Sequence, residues 1–367
     1  MSVKTLLITP PFTQLNTPYP ATAYLKGFLD SKDLDTVQYD LSIGLFNKVF
    51  TSDFISRVFL EADEFGNDNF PLVGKQRIHY VERVDVVTSF LRNQSLETAK
   101  QLLVEDFLPK AHRRELALDI AYFELDEIDK AKHLGTLFIE EIGDFITANV
   151  DEFFSFTRYA EQIATSASSF DQLAEYLSYT TTLIEDQLLL LLVNKIEEEQ
   201  PHLICFTIPF PGNLFAALRC AQFIKKNYKH IKVAFGGGYC NTELRSLSDP
   251  RIFKYIDYIT LDDGEGPLYR LIQHLNKEID ESQLERTFLL KKKHVVYQNK
   301  TPNTIFHHKD LPAPSYNGIE FSSYMSFLDV INPMHRLWTD GRWNKLTVSH
   351  GCYWKQCSFC DVNLDYI

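Results

Sequence analysis

Apolar positions along this chain alternate between two periods, and the changes of period predict its elements. Val3-Lys4-Thr5-Leu6-Leu7-Ile8 is a short apolar run closed by Thr9-Pro10-Pro11, which predicts a buried strand stopped by residues that cannot extend a ladder. Tyr19 to Asp30, with Ala23, Tyr24, Gly27 and Phe28 at helical spacing, predicts a helix, and Thr36 to Tyr39 a second strand. After residue 200 the same alternation resumes. His202 to Ile208 reads as a strand, Asn213 to Lys226 as an amphipathic helix, and Ile231 to Phe235 as a strand ending in Gly236-Gly237-Gly238. Tyr255 to Leu261 makes a fifth strand and Glu265 to Asn276 a closing helix. Strands that alternate with helices imply an α/β domain, a doubly wound parallel sheet built from residues 1–44 and 201–276.

The stretch between, residues 45–200, keeps a period of about 3.6, as in Val81 to Leu103 and Ala111 to Leu134, and gives almost no strand signal. It reads as a large all-α insertion. Its aromatic residues Phe153, Phe154, Phe156, Tyr159, Tyr176 and Tyr179 are candidates for a pocket lining, although aromatics at this spacing more often form core. Leu188 to Val193 is far shorter than the ~18 apolar residues that cross a bilayer. From 277 to 342 the chain becomes a connector. Thr287 to Leu290 and Val295 to Gln298 flank Lys291-Lys292-Lys293 as a small hairpin, followed by Leu311-Pro312-Ala313-Pro314 and an aromatic stretch. His307, His308 and His335 in this connector read as surface or capping residues before they read as metal ligands.

In an open α/β sheet, ligands bind outside the carboxyl ends of the strands. The loops expected there are Pro10-Pro11 after the first strand, Thr207 to Gly212 after the third, the Gly236-Gly237-Gly238 triplet after the fourth and Asp262-Asp263-Gly264-Glu265-Gly266 after the fifth. Glycine lets the backbone come close to a ligand. A G-x-G-x-x-G turn after the first strand is absent, which removes support from nicotinamide and flavin readings.

Three cysteines, Cys352, Cys357 and Cys360, fall within nine residues in a C-x₄-C-x₂-C pattern after Lys345-Leu346-Thr347-Val348-Ser349, a β-rich alternating run. Clustered thiolates select soft metals: iron–sulfur clusters, zinc or copper(I). A structural zinc site needs a fourth ligand to close a tetrahedron. His350 stands too close to Cys352 to serve, and no second C-x₂-C exists. A plant-type ferredoxin would need a further cysteine downstream, which is also missing. A four-iron cluster on three cysteines keeps one iron open to a cosubstrate.

These residues resemble the cluster loop of the radical S-adenosylmethionine superfamily, in which three closely spaced cysteines follow a strand and an aromatic residue precedes the third; Phe359 holds that place here. The first spacing is four residues where three is commonest. The resemblance implies that Cys352, Cys357 and Cys360 hold a [4Fe-4S] cluster, that Phe359 lies near the adenine of S-adenosylmethionine, and that the reduced cluster cleaves this cosubstrate to a deoxyadenosyl radical. Together with the sheet, the order looks like the cobalamin-binding branch, where a flavodoxin/Rossmann-like cobalamin domain precedes a radical (β/α) barrel whose start is residues 343–367. That likeness rests on Pro10, Pro11, Thr207, Gly236, Gly237, Gly238, Asp263, Gly264 and Glu265, and implies that these residues line a cobalamin site. A D-x-H-x-x-G motif is absent, and the string around His133 has the wrong spacing, so no histidine is expected below the cobalt.

Only the first strand of the barrel precedes Ile367, so the chain is expected to be the N-terminal portion of a longer enzyme and inactive alone. The intact enzyme would carry out methyl transfer or a radical rearrangement on a small-molecule or peptide substrate that the sequence does not identify, with an external electron donor. Two other classes stay open: a non-catalytic module that senses cobalamin or docks a partner, and an iron–sulfur electron carrier.

Charge narrows the partners. With 49 acidic against 37 basic residues the formal net charge is −12, which argues against nucleic acid. No signal-peptide pattern or membrane span is evident, and free thiols fit a reducing compartment, so a cytoplasmic protein is expected. Cys205, Cys220 and Cys240 read as small buried residues.

Overall fold

The computed structural model describes residues 2–66, 69–113, 125–156, 170–299, 306–328 and Trp354. Seven strands form one sheet in the order β2-β1-β3-β4-β5-β6-β7. β1 (Thr5–Thr9) pairs in parallel with β2 (Thr36–Asp40) on one side and with β3 (Leu203–Thr207) on the other. β4 (Lys232–Gly236) and β5 (Tyr258–Thr260) continue the parallel run. This 2-1-3-4-5 order is the flavodoxin-like one, with its switch point between β1 and β3. Every residue of β1 is buried, as expected for a strand covered on both faces.

Because side chains alternate across a strand, the sheet divides into two cores. Leu7, Leu203, Ala234 and Tyr258 face α1 (Ala21–Asp30) and α12 (Glu265–Leu275), where Phe28, Leu29, Leu268 and Leu271 complete one core. Leu6, Ile8, Ile204, Phe206, Val233 and Phe235 face the other way, against α2 (Leu41–Val49), α9 (Leu183–Glu199) and α10 (Pro211–Asn227). Helices on both faces are what the alternating sequence pattern requires.

Among the described residues every element between β2 and β3 is helical: α2, α3 (Ser52–Phe65), α4 (Pro71–Lys75), α5 (Arg77–Asn93), α6 (Leu96–Leu102), α7 (Glu127–Asn149), α8 (Asp171–Ser178) and α9. The apolar period over Val81 to Leu103 is interrupted at Gln94, whose φ of 55° ends α5 and hands over to α6, capped by Ser95. Of the helix expected over Ala111 to Leu134, His112 and Arg113 are helical, 114–124 lie outside the described residues, and α7 runs on from Glu127, with Asp126 accepting from the Asp129 amide. Phe154 is buried and meets Phe12 edge-on at a centroid distance of 5.8 Å, and Phe156 lies 5.4 Å from Phe50. Phe153 and Tyr176 pack on each other, and Tyr179 is exposed. Phe153, Phe154, Phe156 and Tyr176 thus pack with the core and Tyr179 does not; Tyr159 lies outside the described residues.

The sheet differs from a purely parallel one. The hairpin anticipated in the connector is β6 (Thr287–Lys291) and β7 (His294–Gln298), and β6 pairs antiparallel with β5, so the hairpin extends the sheet. Its two-residue turn places Lys292 and Lys293 at φ 46° and 68°, the primed-turn geometry that matches strand twist. β7 has no apolar run strong enough to mark it as sheet, since its residues are half-exposed.

After α12 and the hairpin the chain returns across the molecule. The Ser315 amide donates to the Ala23 carbonyl of α1, and Gln38 of β2 donates to the Ser315 and Asn317 carbonyls at 2.8 and 2.9 Å. Asn47 of α2 donates to Ser323. Tyr324, Met325 and Leu328 are then buried: the Met325 amide donates to Leu15, Ser326 to the Leu91 carbonyl, and Leu328 to Thr136 Oγ1 at 2.9 Å. His133, in α7, is fully buried with Nδ1 3.2 Å from the Leu328 carbonyl, which makes Nδ1 its protonated nitrogen. The histidine that stood nearest to a cobalt-ligand motif is thus a core residue that holds the connector. No helix among the described residues is long and apolar enough to cross a membrane.

Candidate functional site

The carboxyl ends of β3, β4 and β5 meet at one cleft. It lies between the sheet and the helices α1 and α12, with Leu7 of β1 in its floor, and encloses about 270 Å³. Leu7, Cys205 and Ala234 form an apolar floor from three neighbouring strands, and Leu268 of α12 closes one side. Thr207, Gly236, Gly237, Gly238, Asp263, Gly264 and Glu265, all selected from the sequence, line it together. Pro10 and Pro11 are buried but do not line it. The Pro10 carbonyl instead accepts from Asn213 Nδ2 of α10 at 3.0 Å, which ties the β1 loop to the opposite layer.

The glycine triplet owes its composition to the protein itself. Gly237 has φ +102°, and a Cβ there would stand 2.8 Å from the Ile208 nitrogen and 2.9 Å from its oxygen. The Ile208 amide donates to the Gly236 carbonyl at 2.7 Å, and the Tyr239 amide donates to the Ile208 carbonyl, so the β3 and β4 loops are laced together. The resulting turn leads directly into the one-turn helix α11 (Gly238–Thr242). What the missing side chains admit is the neighbouring loop, and the cleft wall is rigid as a result.

Asp262 braces the opposite rim. It sits at φ 65° just after β5; its amide donates to Asn241 Oδ1 at 2.7 Å, and its carboxylate accepts from Arg245. Asp262, Asp263 and Glu265 make the lining acidic, and no Lys, Arg or His is among its described lining residues. Two helices begin at the cleft, α1 near Ala21 and Thr22 and α12 near Gly264 and Glu265, and neither has a side-chain cap on its first turn, so the positive ends of both helices face the cleft. Thr260 and Thr207 supply hydroxyl groups, and burial pushes the Tyr19 phenol above its ordinary range, which keeps it a neutral donor.

Tyr19, Tyr24, Thr260 and Leu311 were not marked by the sequence. Thr260 carries a usable signal, being the last residue of a strand in an open α/β sheet. Leu311 carries none, because it reaches the cleft only through the path of the connector.

Of the three described cysteines, Cys205 faces the cleft and Cys220 and Cys240 are fully buried; burial pushes all three thiols up, so they are un-ionised at neutral pH. Cys352, Cys357, Cys360 and Phe359, with the strand expected before them, lie outside the described residues, as does His335. His307 is exposed, and His308 opens a short 3₁₀ turn. No group of metal-ligating side chains is assembled among the described residues.

Comparison with known proteins found no matching family model, no matching curated protein and no matching solved structure.

Proposed function

We propose that this chain is the cofactor-binding portion of a cobalamin-dependent radical S-adenosylmethionine enzyme, with cobalamin at the cleft and a [4Fe-4S] cluster on Cys352, Cys357 and Cys360. One observation supports it most: residues chosen from three separate loops, Thr207, the Gly236 triplet and Asp263 to Glu265, converge on a single cleft at the carboxyl edge of a 2-1-3-4-5 sheet.

The donor set fits the arm of a cobalamin. At about 270 Å³ the cleft is just below the usual range of ligand pockets, roughly 300 to 1,000 Å³, so it suits a base and ribose with the macrocycle outside the rim. An apolar floor of Leu7, Cys205 and Ala234 suits a flat aromatic base. Asp263, Glu265 and Thr260 bring acceptor oxygens to the cleft for ribose hydroxyls and the neutral carboxamide arms of a corrin, and the positive end of α12 at Gly264 and Glu265 suits a phosphodiester. A multiply anionic nucleotide meets the Asp263 and Glu265 carboxylates and no lining cation, since Asp262 is already paired with Arg245. Bound cobalamin would supply methyl-transfer or rearrangement chemistry, and a cluster on Cys352, Cys357 and Cys360 would supply an electron to S-adenosylmethionine. The chain's own part would be to seat these groups, with Phe359 serving the cosubstrate.

Anaerobic titration of the purified chain with hydroxocobalamin, followed by gel filtration and absorbance, tests the cleft. Stoichiometric retention supports the reading. A folded chain that retains none sinks it. Reconstitution with iron and sulfide then separates the alternatives: a cluster whose spectrum responds to S-adenosylmethionine supports a radical enzyme, an indifferent cluster an electron carrier, and cobalamin without a cluster a sensing module.

A further inference from the structure

Residues 311–328 run from the cleft to the helical insertion. Leu311 belongs to the cleft wall, while Leu328, the last residue described before the cysteine-bearing segment, is fully buried in the helical insertion. Between them the segment is bound along its length. Ser315 is bonded to α1, a helix whose first turns line the cleft, and the Ala313 carbonyl presses on Gly27 so closely that a Cβ there would stand 2.3 Å away. Further on, Gln38, Asn47 and Asp40 each hold it by a side chain. Thr136 and His133 of the insertion then fix both backbone groups of Leu328.

We propose that 311–328 is a strap that couples the cleft to the insertion, so that closing the cleft and anchoring Leu328 stabilise each other. The insertion then has a job: it grips the point from which the chain continues toward the cysteines, and the strap fixes that point relative to whatever occupies the cleft. The coupling is a free energy shared between two sites, so it runs in both directions. Docked and undocked strap are the two states that both ends bias.

The test uses the full chain without ligand first. The double variant Tyr324→Phe/Thr136→Val removes two bonds of the strap, one to Asp40 at the end of β2 and one to the insertion, neither made to a residue that lines the cleft, and hydrogen exchange at Met325, Ser326 and Leu328 reads the release. The expected result is exchange faster by about tenfold or more, accompanied by several-fold faster maleimide labelling of Cys205, which faces the cleft and is identified by peptide mapping. Freed amides with unchanged Cys205 labelling would overturn the proposal, as would amides that stay protected in the variant. Should the double variant fail to fold by circular dichroism, Gly27→Ala lifts the strap from the α1 side and carries the same two readouts.

A second arm, which rests on the proposed cobalamin site, adds hydroxocobalamin to the unaltered chain. Slower exchange at 325–328 on saturation supports the coupling, and binding without any change there overturns it. Failure of the folded chain to bind hydroxocobalamin counts against the functional reading alone, because the first arm decides the strap without it.

Discussion

The Tyr324 hydroxyl donates to Asp40 Oδ2 at 2.6 Å, joining the end of β2 to a residue far along the chain. Asp40 is also the cap of α2, its other oxygen accepting from the Ser42 and Ile43 amides. One buried carboxylate therefore closes a helix, a strand and the returning connector.

Burial dominates this carboxyl and pushes it up to about 6, against the bonds from Tyr324, Ile43 and Ser42 that pull it down. The folded chain thus holds the proton more tightly than the unfolded one, so stability from this group is complete below the ordinary carboxylate range and is lost as pH rises through about 6. A shift of about two units corresponds to roughly 3 kcal/mol. Asp40→Asn keeps a capping acceptor and cannot ionise. Its stability relative to the unaltered chain is expected to rise between about pH 4 and pH 6 in urea titrations; parallel curves across that window would show that Asp40 does not carry the effect.

Gly237→Ala meets both a forbidden backbone region and the Ile208 backbone. A cost of about 2 to 4 kcal/mol follows from the strained φ and the clash together. Gly236→Ala, where the nearest atom is the Thr260 hydroxyl at 3.0 Å, costs less because a hydroxyl can turn aside. Equal midpoints for the two variants in chemical denaturation would contradict the loop-lacing account.

Arg219 of α10 and Glu185 of α9 form a buried pair at 2.9 Å, and Arg219 also donates to the Leu177 and Tyr176 carbonyls that end α8. Glu185→Ala strands the guanidinium and is expected to cost about 3 to 5 kcal/mol, while Glu185→Leu/Arg219→Met costs less than that single change. A double variant that is the weaker of the two by thermal denaturation would be the contrary result.

Cys205→Trp fills the cleft floor without touching the cysteine-rich segment. Hydroxocobalamin retention is expected to fall by tenfold or more, a loss of about 1.4 kcal/mol. Iron incorporation should be unaffected. Replacing Cys352, Cys357 and Cys360 by Ala should do the reverse, removing bound iron while cobalamin retention persists. Loss of both cofactors in either variant would mean that the two sites are not separable.

The sheet was legible where burial is two-sided. β1 and β3 carry unbroken apolar runs because parallel strands are covered on both faces, and such runs need no tertiary information to recognise. The hairpin of β6 and β7 was legible as a hairpin but not as part of the sheet, because the sequence does not mark the antiparallel pairing of β6 with β5. The break at Gln94 was hidden for a related reason: a left-handed cap occupied by glutamine lacks the glycine that normally announces it. Within the cleft, strand-end residues were readable from the alternation of elements. Tyr19, Tyr24 and Leu311 were not, since their place depends on how α1 and the connector close over the sheet. The cysteine spacing is a purely local signal, and it is legible in sequence for that reason.

β1 lies between β2 and β3, yet its pairing with β3 joins Thr5 to Leu203. During synthesis at about 5 to 20 residues per second, β1 therefore waits on the order of ten to forty seconds for its second neighbour. Through that interval β1 can pair with β2 alone, and its other edge stays open until the whole insertion has been made.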